Sequence, residues 1–161
     1  MRDQIRVSEC SSVRDLAASL RNLWLRLADE MFKIEGFIIP SESNADRWIR
    51  FAEESVAEGR GFLIIAECDS EIVGFTFATI SREFPLDATE HAIGTINDVY
   101  VLPEYRGRGI GKRMVAECLG KIKARGIKNV RLSVLAENKA AIKLYKRLNF
   151  KIRSYEMFKR L

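Results

Sequence analysis

Apolar residues in the first third of the chain recur every three or four positions, which is the spacing of amphipathic helices. One such stripe covers residues 11–31, after a short run, IRVSE, that predicts a first strand. A second stripe runs from about Ser43 to Glu58, where two nearby glycines end it. The pattern therefore predicts a strand followed by two helices. The first stripe comprises Val13, Leu16, Leu20, Leu23, Leu27 and Met31.

After residue 60 the pattern changes to short apolar or alternating runs, which indicate strands. FLIIAE is uniformly apolar and EIVGFTFATIS alternates, and the Asp-Ser pair between them predicts a hairpin. The loop REFPLDATEHA then leads to a further strand, GTINDVYVL, which ends before Pro103. These runs predict an antiparallel unit.

Helices and strands alternate only in the last third of the chain. A helix with Ile110, Met114, Cys118 and Ile122 on one face precedes the strand KNVRLSVLA, and the helix NKAAIKLYKRL precedes a last strand, FKIRSYEMFKRL. The predicted order is β-α-α-β-β-β-α-β-α-β. Because alternation favours parallel strands and hairpins favour antiparallel ones, we expect an α/β fold with one mixed sheet.

The composition is typical of a single globular domain over residues 1–161, because 47% of the residues are hydrophobic and 30% are charged. No apolar run approaches the roughly 18 residues that cross a membrane. The charged N-terminus lacks the apolar core of a signal peptide. Three scattered cysteines form neither a disulfide framework nor a zinc site. We therefore expect a cytoplasmic domain with no membrane partner and no metal.

Charge is distributed unevenly along the chain. Residues 1–103 contain 10 Lys and Arg against 18 Asp and Glu, whereas residues 104–161 contain 17 against 4. The asymmetry fits either solvated surfaces or a polyanionic ligand on the C-terminal part with a cationic ligand against the N-terminal part. A basic nucleic-acid-binding module is a rival interpretation. It is disfavoured because the basic residues interleave with apolar helix positions and no aromatic stacking platform alternates with them.

The segment YRGRGIGKR, residues 105–113, contains three glycines and four cations between a predicted strand and a predicted helix. The first N–H groups of a helix have no partner within it, and glycines let a ligand approach them closely. Such a loop suits a phosphate. Arg106 and Arg113 break the P-loop pattern, and Lys112 breaks the dinucleotide fingerprint. The alternative is an ordinary strand-to-helix turn with basic flanks.

This loop resembles the signature of the GNAT superfamily of N-acetyltransferases, Arg/Gln-x-x-Gly-x-Gly/Ala, over residues 106–111. A second block, NKAAIKLYKRLNF, is similar to the family's N-x-x-A-x-x-L-Y-x-x-x-G-F, except that Asn149 stands where glycine is usual. Asn tolerates the left-handed conformation of a helix C-terminus. The resemblance covers residues 95–150 closely and the whole chain by element order. It implies an acyltransferase fold with a central pair of splayed strands.

The resemblance also implies that acetyl-CoA binds along the loop and the strand before it. Backbone N–H groups of residues 107–112 would hold the pyrophosphate. Strand 95–102 would lie beside the pantetheine arm, with an amide at or near Val99 polarising the thioester carbonyl. Asn138 would bind the pantetheine, and a helix N-cap is its alternative role. The implied cofactor-binding residues are Val99, Tyr100, Val101, Arg106, Gly107, Arg108, Gly109, Ile110, Gly111, Lys112 and Asn138.

For the chemistry, the resemblance implies that Tyr145 protonates the leaving thiolate, although its helical position alone also fits a core aromatic. No cysteine occupies a family nucleophile position, so we expect an amine to attack the thioester directly. The sequence leaves the base open. Asp98 is the favoured single candidate, and a water relay to Asp98, Glu90 or His91 is the alternative.

The expected acceptor is a primary amine: a protein N-terminus, a lysine side chain or a polyamine. In the resembled family the acceptor pocket forms from the first two helices and the loop before the central strand, which belong here to the acidic part. Trp24, Phe32 and Phe37 are assigned to the core, with pocket walls as the alternative role. A homodimer and a non-catalytic CoA-binding module are kept as hypotheses. The acidic candidates for holding the amine are Glu30, Glu35, Glu83, Asp87 and Glu90.

Overall fold

The computed structural model describes residues 4–82, 92–159 and 161, and these form a five-stranded sheet with helices on both faces. Strands β1 to β4 are antiparallel neighbours, and β5 is parallel to β4. The mixed α/β fold expected from the sequence is confirmed. In chain order the elements are β1 (Ile5–Glu9), α1 (Ala17–Glu35), α2 (Glu42–Ala57), β2 (Gly61–Cys68), β3 (Glu71–Ser81), β4 (Ile93–Val101), a 3₁₀ turn (Pro103–Tyr105), α3 (Ile110–Ala124), β5 (Val130–Leu132) and α4 (Lys139–Arg147).

Two apolar layers form the core, one on each face of the sheet. Leu20 and Leu23 of α1 and Trp48 of α2 cluster with Phe75 and Phe77 on one face. Helix α3 covers the other face, because its apolar residues lie four apart and so share one side of the helix. That second layer buries Phe62, Ile64, Ala66, Ile96, Ile110, Met114, Cys118 and Ile122.

Local signals set the ends of the first two helices. The helix predicted from residue 11 begins only at Ala17, because the residues just before it form a turn. It ends at Gly36, whose φ of +69° suits glycine. The Ser41 hydroxyl accepts a hydrogen bond from the Asn44 N–H at 3.2 Å and starts α2. In the part of the chain that the structure describes, no helix is both long and apolar enough to cross a bilayer.

A β-bulge at Asn97 changes which side chains of β4 face each layer. Asp98 and Ile96 pair with consecutive residues of β3, so Asn97 is an extra residue on β4. Before the bulge, Ile96 faces α3, and after it Asp98 and Tyr100 face α1 and α2. Successive side chains of an unbroken strand alternate, which would put all three on one face. The bulge therefore turns Asp98 toward α2.

Strands β4 and β5 diverge along their length. Only residues 94–96 of β4 pair with residues 130–132 of β5, whereas β4 continues to Val101. Beyond Ile96, β4 keeps β3 on one side and loses β5 on the other. The splayed central pair that the resemblance implies is thereby confirmed, and a gap opens beside residues 97–101.

The strand predicted at the C-terminal end does not form. Residues 151–159 have no regular secondary structure, and each of them is exposed. The physical reason is visible in the spacing, because Ile152, Tyr155, Met157 and Phe158 do not hold to a period of two and give neither face of a strand a continuous apolar row. The observed order of elements therefore stops at α4.

Candidate functional site

The glycine loop between β4 and α3 leaves open space at the start of the helix. Gly107 and Gly109 have φ values of +77° and +76°, and a Cβ built on either would meet no atom within 4 Å. The N–H of Arg113 donates to the Gly109 carbonyl at 3.1 Å, which begins the helical ladder. The preceding N–H groups point beyond the helix end, where the helix dipole is positive. The loop therefore presents backbone donors to solvent.

The side chain of Arg106 binds protein acceptors. Its Nε donates to the Val101 carbonyl at 2.8 Å, and its Nη2 lies 2.7 Å and 2.9 Å from the two carboxylate oxygens of Glu30. Its guanidinium also stacks over the Tyr100 ring at 5.3 Å. Because Glu30 belongs to α1, these contacts tie the start of the glycine loop to the first helix.

Three further cations form an exposed rim around the loop. Arg108 donates to the Glu104 carbonyl at 3.4 Å and lies over the Tyr105 ring at 5.2 Å. Arg113 donates to the carbonyl of Ile5 on β1 at 3.2 Å. Lys112 is exposed on the first turn of α3. The rim is electropositive and adjoins the backbone donors.

Helix α4 approaches the start of α3 closely. A Cβ on Gly111 would lie 3.4 Å from Leu144 Cδ2, so glycine there leaves room for α4. The Asn138 Oδ1 accepts a hydrogen bond from the Ala141 N–H at 3.1 Å, which confirms the N-cap role considered for Asn138. This packing holds α4, which carries Tyr145, beside the glycine loop.

An indole from α2 holds the carboxyl group of Asp98. Trp48 Nε1 donates to Asp98 Oδ2 at 2.9 Å, and Trp48 is only 9% exposed. Burial raises the pKa of Asp98 to about 6, and the hydrogen bond from Trp48 opposes that rise because it stabilises the ionised form. Asp98 can therefore exchange a proton close to physiological pH.

The phenol of Tyr145 lies in the same region as Asp98. Burial, and secondly the charge of Asp98, raise the pKa of Tyr145 to about 12. The ring packs edge-on against Phe150 with centroids 5.9 Å apart. Tyr145 is therefore a neutral hydrogen-bond donor at physiological pH, close enough to Asp98 to feel its charge.

The acidic candidates for holding an amine have separate outcomes. Glu30 binds Arg106 and also accepts a hydrogen bond from the Tyr100 hydroxyl at 3.1 Å. Burial, followed by Glu30, raises the pKa of Tyr100 to about 12. Glu35 is exposed at the end of α1. The other predicted residues, Glu83, Asp87, Glu90 and His91, lie outside the described part of the chain.

The aromatic residues assigned to the core divide into two groups. Trp24 packs against the core as expected and stacks on Trp48 with centroids 6.5 Å apart. The assignment is wrong for Phe32 and Phe37, which are 42% and 68% exposed. Phe32 lies off the buried stripe of α1, and Phe37 follows the helix end. Phe37 instead contacts Phe158, with centroids 5.7 Å apart.

Sequence reasoning places Trp48 only on the apolar face of α2 and does not identify its partner. It likewise misses the contact between Glu30 and Arg106. The partners lie 50 and 76 positions away, so local spacing carries no signal for either contact. The lone acidic residue of the central strand is the clue that Asp98 needed a donor from a covering helix.

Comparison with protein families finds that residues 20–150 match the Acetyltransferase (GNAT) family. The mycothiol acetyltransferase of Paenarthrobacter aurescens (strain TC1) is 33% identical over 110 residues, which are 68% of this chain and 33% of that protein. This chain therefore spans about a third of the length of that relative.

Solved structures share the fold over nearly the whole chain. The aminoglycoside N-acetyltransferase AAC(6')-Iy, in complex with the bisubstrate analogue CoA-S-monomethyl-acetylneamine, has a TM-score of 0.77 and 16% identity over 98% of both chains. A predicted acetyltransferase of Clostridium acetobutylicum, with acetyl-CoA, has a TM-score of 0.76 and 18% identity over 98% of this chain and 96% of its own. At these identities the likeness concerns the fold.

Proposed function

Because the chain belongs to the acetyltransferase (GNAT) family, we propose that it transfers an acetyl group from acetyl-CoA to a primary amine. The observation that carries the proposal is that Asp98 and Tyr145 lie together beside the gap between β4 and β5, next to the open glycine loop. The loop suits a pyrophosphate, the gap suits an extended thioester arm, and the two side chains can accept and donate protons.

In this proposal the backbone N–H groups of residues 107–112 bind the pyrophosphate. Arg108 and Lys112 attract the phosphates, while Arg106 holds the loop in place through Glu30. The edge of residues 99–101 that faces away from β3 hydrogen-bonds the pantetheine amides as a neighbouring strand would. Asn138 contributes by capping α4, which carries Tyr145.

The coenzyme supplies the activated acetyl group, and the chain supplies the proton transfers. Above a pH of about 6 the Asp98 carboxylate accepts a proton from the attacking amine. As the new C–N bond forms and the C–S bond breaks, the phenol of Tyr145 protonates the sulfur. A phenol with a pKa of about 12 is a weak donor. The proton held by Asp98 then returns to Tyr145, so that an amine and a thioester give an amide and a thiol.

We propose a cationic amine as the acceptor: a protein N-terminus, a lysine side chain or a polyamine. The acidic excess of residues 1–103 supports a cationic ligand. Because an aminoglycoside N-acetyltransferase shares the fold, aminoglycosides join the classes to test. Catalysis would take place in the cytoplasm, where acetyl-CoA is at hand.

The test is to incubate the chain with acetyl-CoA and a panel containing a peptide, lysine, spermidine and an aminoglycoside. Amide products should be followed by mass spectrometry, because the mass of the product identifies which amine was acetylated. Acetylation of at least one amine supports the proposal. Stabilisation by acetyl-CoA with no product would indicate a non-catalytic CoA-binding module. Binding of DNA or RNA without any effect of acetyl-CoA would favour the basic nucleic-acid-binding module.

We also propose that the chain forms an isologous homodimer through residues 151–159. This segment exposes Ile152, Tyr155, Met157 and Phe158, which are 63%, 84%, 93% and 76% exposed. Large apolar side chains gathered on one exposed segment are typical of a protein–protein contact surface. A second copy, which presents the same segment, is the partner that two-fold symmetry requires.

A further inference from the structure

Trp48 and Asp98 form the side-chain hydrogen bond that joins α2 to the centre of the sheet beside the splayed strands. We propose that Trp48 is a positioning residue, which orients the Asp98 carboxylate and stabilises its ionised form for proton acceptance. The inference rests on the proposed function, in which Asp98 is the base. It assigns to α2 a share in the reaction that neither the sequence motifs nor the glycine loop suggest.

Aromatic side chains pack around the indole of Trp48. Its ring meets Phe75 and Phe77 edge-on with centroids 5.2 Å and 5.8 Å apart, and it stacks on Trp24. These contacts and its burial restrict the indole, while its N–H donates to Asp98 Oδ2. The packing of α2 on the sheet therefore presents this donor to the carboxylate.

The chemistry of an indole makes this contact stronger with the ionised form of Asp98. Trp Nε1 is a donor only, and a hydrogen bond to a charged carboxylate oxygen is stronger than one to the neutral acid. Among the described residues no other side chain donates to Asp98. With Oδ2 engaged by Trp48, Oδ1 is the oxygen left to accept a proton from the amine.

Charged and titratable groups packed around Asp98 do not replace the indole. From α4, Tyr145 faces Asp98 as a neutral phenol. On the side of α1, the Glu30 carboxylate is engaged by Arg106 and Tyr100. Burial and the Trp48 hydrogen bond alone account for the pKa of Asp98, with no contribution from a cation. The uncharged N–H of Trp48 therefore stabilises the Asp98 carboxylate, where many buried carboxylate sites have an arginine or lysine.

A purely structural role for the same contact makes a different prediction. A buried indole N–H needs an acceptor, and Asp98 satisfies it whatever the reaction. If that were the only role, loss of Trp48 would lower activity through reduced stability, by the same factor at every pH. A positioning role requires that the pH dependence of activity itself should move.

The first experiment measures the contact without using activity. The chain has two tryptophans, so a Trp24→Phe variant leaves Trp48 as the only indole emitter. Its fluorescence should titrate with a midpoint near the Asp98 pKa of about 6, and Asp98→Asn in the same background should abolish the transition. An emission that does not change between pH 4 and 8 would overturn the proposal.

The second experiment compares pH profiles of kcat/KM, calculated per unprotonated amine. Trp48→Phe removes a hydrogen bond to a charged group and so raises the pKa of Asp98. The acidic limb of the profile, where kcat/KM falls as the pH drops, should therefore move up by about one to two pH units, and activity should recover at higher pH. Trp24→Phe is the matched control, because it truncates an aromatic partner in the same cluster but leaves the hydrogen bond. The acidic limb of the Trp24→Phe profile should not move.

The outcomes separate the inference from the proposed function. Equal loss of activity at every pH in Trp48→Phe, with an unchanged limb, would overturn the positioning role and leave Asp98 as the base. A wild-type profile without a limb near pH 6, despite a fluorescence transition, would remove Asp98 as the base and the positioning role with it. Should Trp48→Phe fail to fold, a Trp24→Phe fluorescence midpoint that departs from the acidic limb of the same variant would overturn the proposal, whereas a matching midpoint would link the contact to the ionisation that controls activity.

Discussion

The guanidinium of Arg106 binds both oxygens of the Glu30 carboxylate through a single nitrogen, Nη2, while its Nε donates to the Val101 carbonyl. Lysine cannot keep both contacts, so Arg106→Lys retains the charge and loses the geometry. The pair is half exposed, and we expect a loss of unfolding free energy of no more than about 1 kcal/mol. The acetyl-CoA dissociation constant should stay within about threefold, as for a charge-conserving change outside the phosphate contacts. Calorimetry measures the dissociation constant and thermal melts measure the stability. If Arg106→Lys bound acetyl-CoA tenfold more weakly at unchanged stability, Arg106 would instead be a phosphate ligand.

Substitution of Gly109 tests the loop as a phosphate site. A Cβ at position 109 would have no atom within 4 Å, but Gly109→Asp requires an L-residue at φ +76° and brings a carboxylate to the space offered to the pyrophosphate. We expect a backbone cost of about 1–2 kcal/mol and the loss of thermal stabilisation by acetyl-CoA. Gly126→Asp is the matched control, since it has φ +77° and equally open surroundings at the far end of α3. Stabilisation by acetyl-CoA that survives in Gly109→Asp would contradict the loop assignment.

Removal of the Tyr145 hydroxyl tests its role as proton donor. Tyr145→Phe keeps the ring contact with Phe150, so stability should change little, whereas turnover should fall by roughly 10²-fold. The dissociation constant of acetyl-CoA should hardly change. Steady-state kinetics and calorimetry on one preparation measure both quantities, with the exposed Tyr155→Phe as the control. Full turnover in Tyr145→Phe would return Tyr145 to the role of a packing aromatic.

The elevated pKa of Asp98 gives the fold a pH dependence with a defined sign. Because the folded state binds this proton more tightly than the unfolded state does, the stabilisation is fully present below the unfolded pKa of 3.8 and is lost as the pH rises through about 6. The ionised group then costs up to roughly 3 kcal/mol. Asp98→Asn should therefore melt close to wild type at pH 4 and higher than wild type at pH 8. A melting-temperature difference that is constant across this range would refute the assignment.

The exposed segment 151–159 should control the size of the particle in solution. We expect light scattering to show a dimer for the wild-type chain and a monomer for the variant carrying both Met157→Asp and Phe158→Asp, because charges in an apolar interface lose solvation on association. Ser70→Asp adds an exposed charge at the β2–β3 turn and should leave the dimer intact. A wild-type monomer at all concentrations would rule out this interface.

Elements that depend on local periodicity were predictable from the sequence. The stripe proposed from about Ser43 to Glu58 became α2 with nearly the same limits, Glu42–Ala57, because a helix of that length exposes its pattern directly. The glycine loop was equally readable, since its spacing reflects the backbone conformations of Gly107 and Gly109 themselves.

Features that depend on distant partners were not predictable. The last predicted strand failed in part for a visible reason, because Ile152, Tyr155, Met157 and Phe158 do not keep a period of two. A strand also needs another edge that accepts its hydrogen bonds, and sequence does not reveal that edge. The Trp48 contact with Asp98 depends on how α2 crosses the sheet. Phe32 and Phe37 are as apolar as core residues, but Phe32 lies off the buried stripe of α1 and Phe37 follows the end of that helix, so apolarity alone led to the wrong assignment.

The single extra residue at Asn97 makes β4 tolerant of a shorter length at one place. Loss of Asn97 would leave Ile96 and Asp98 adjacent on an unbroken strand, where alternation still puts them on opposite faces, so every later position of β4 would keep its layer. Loss of a residue after the bulge, at Val99 for example, would instead shift the following side chains by one place and exchange their layers. Asn97 is therefore a position at which β4 can lose one residue and still turn Asp98 toward Trp48.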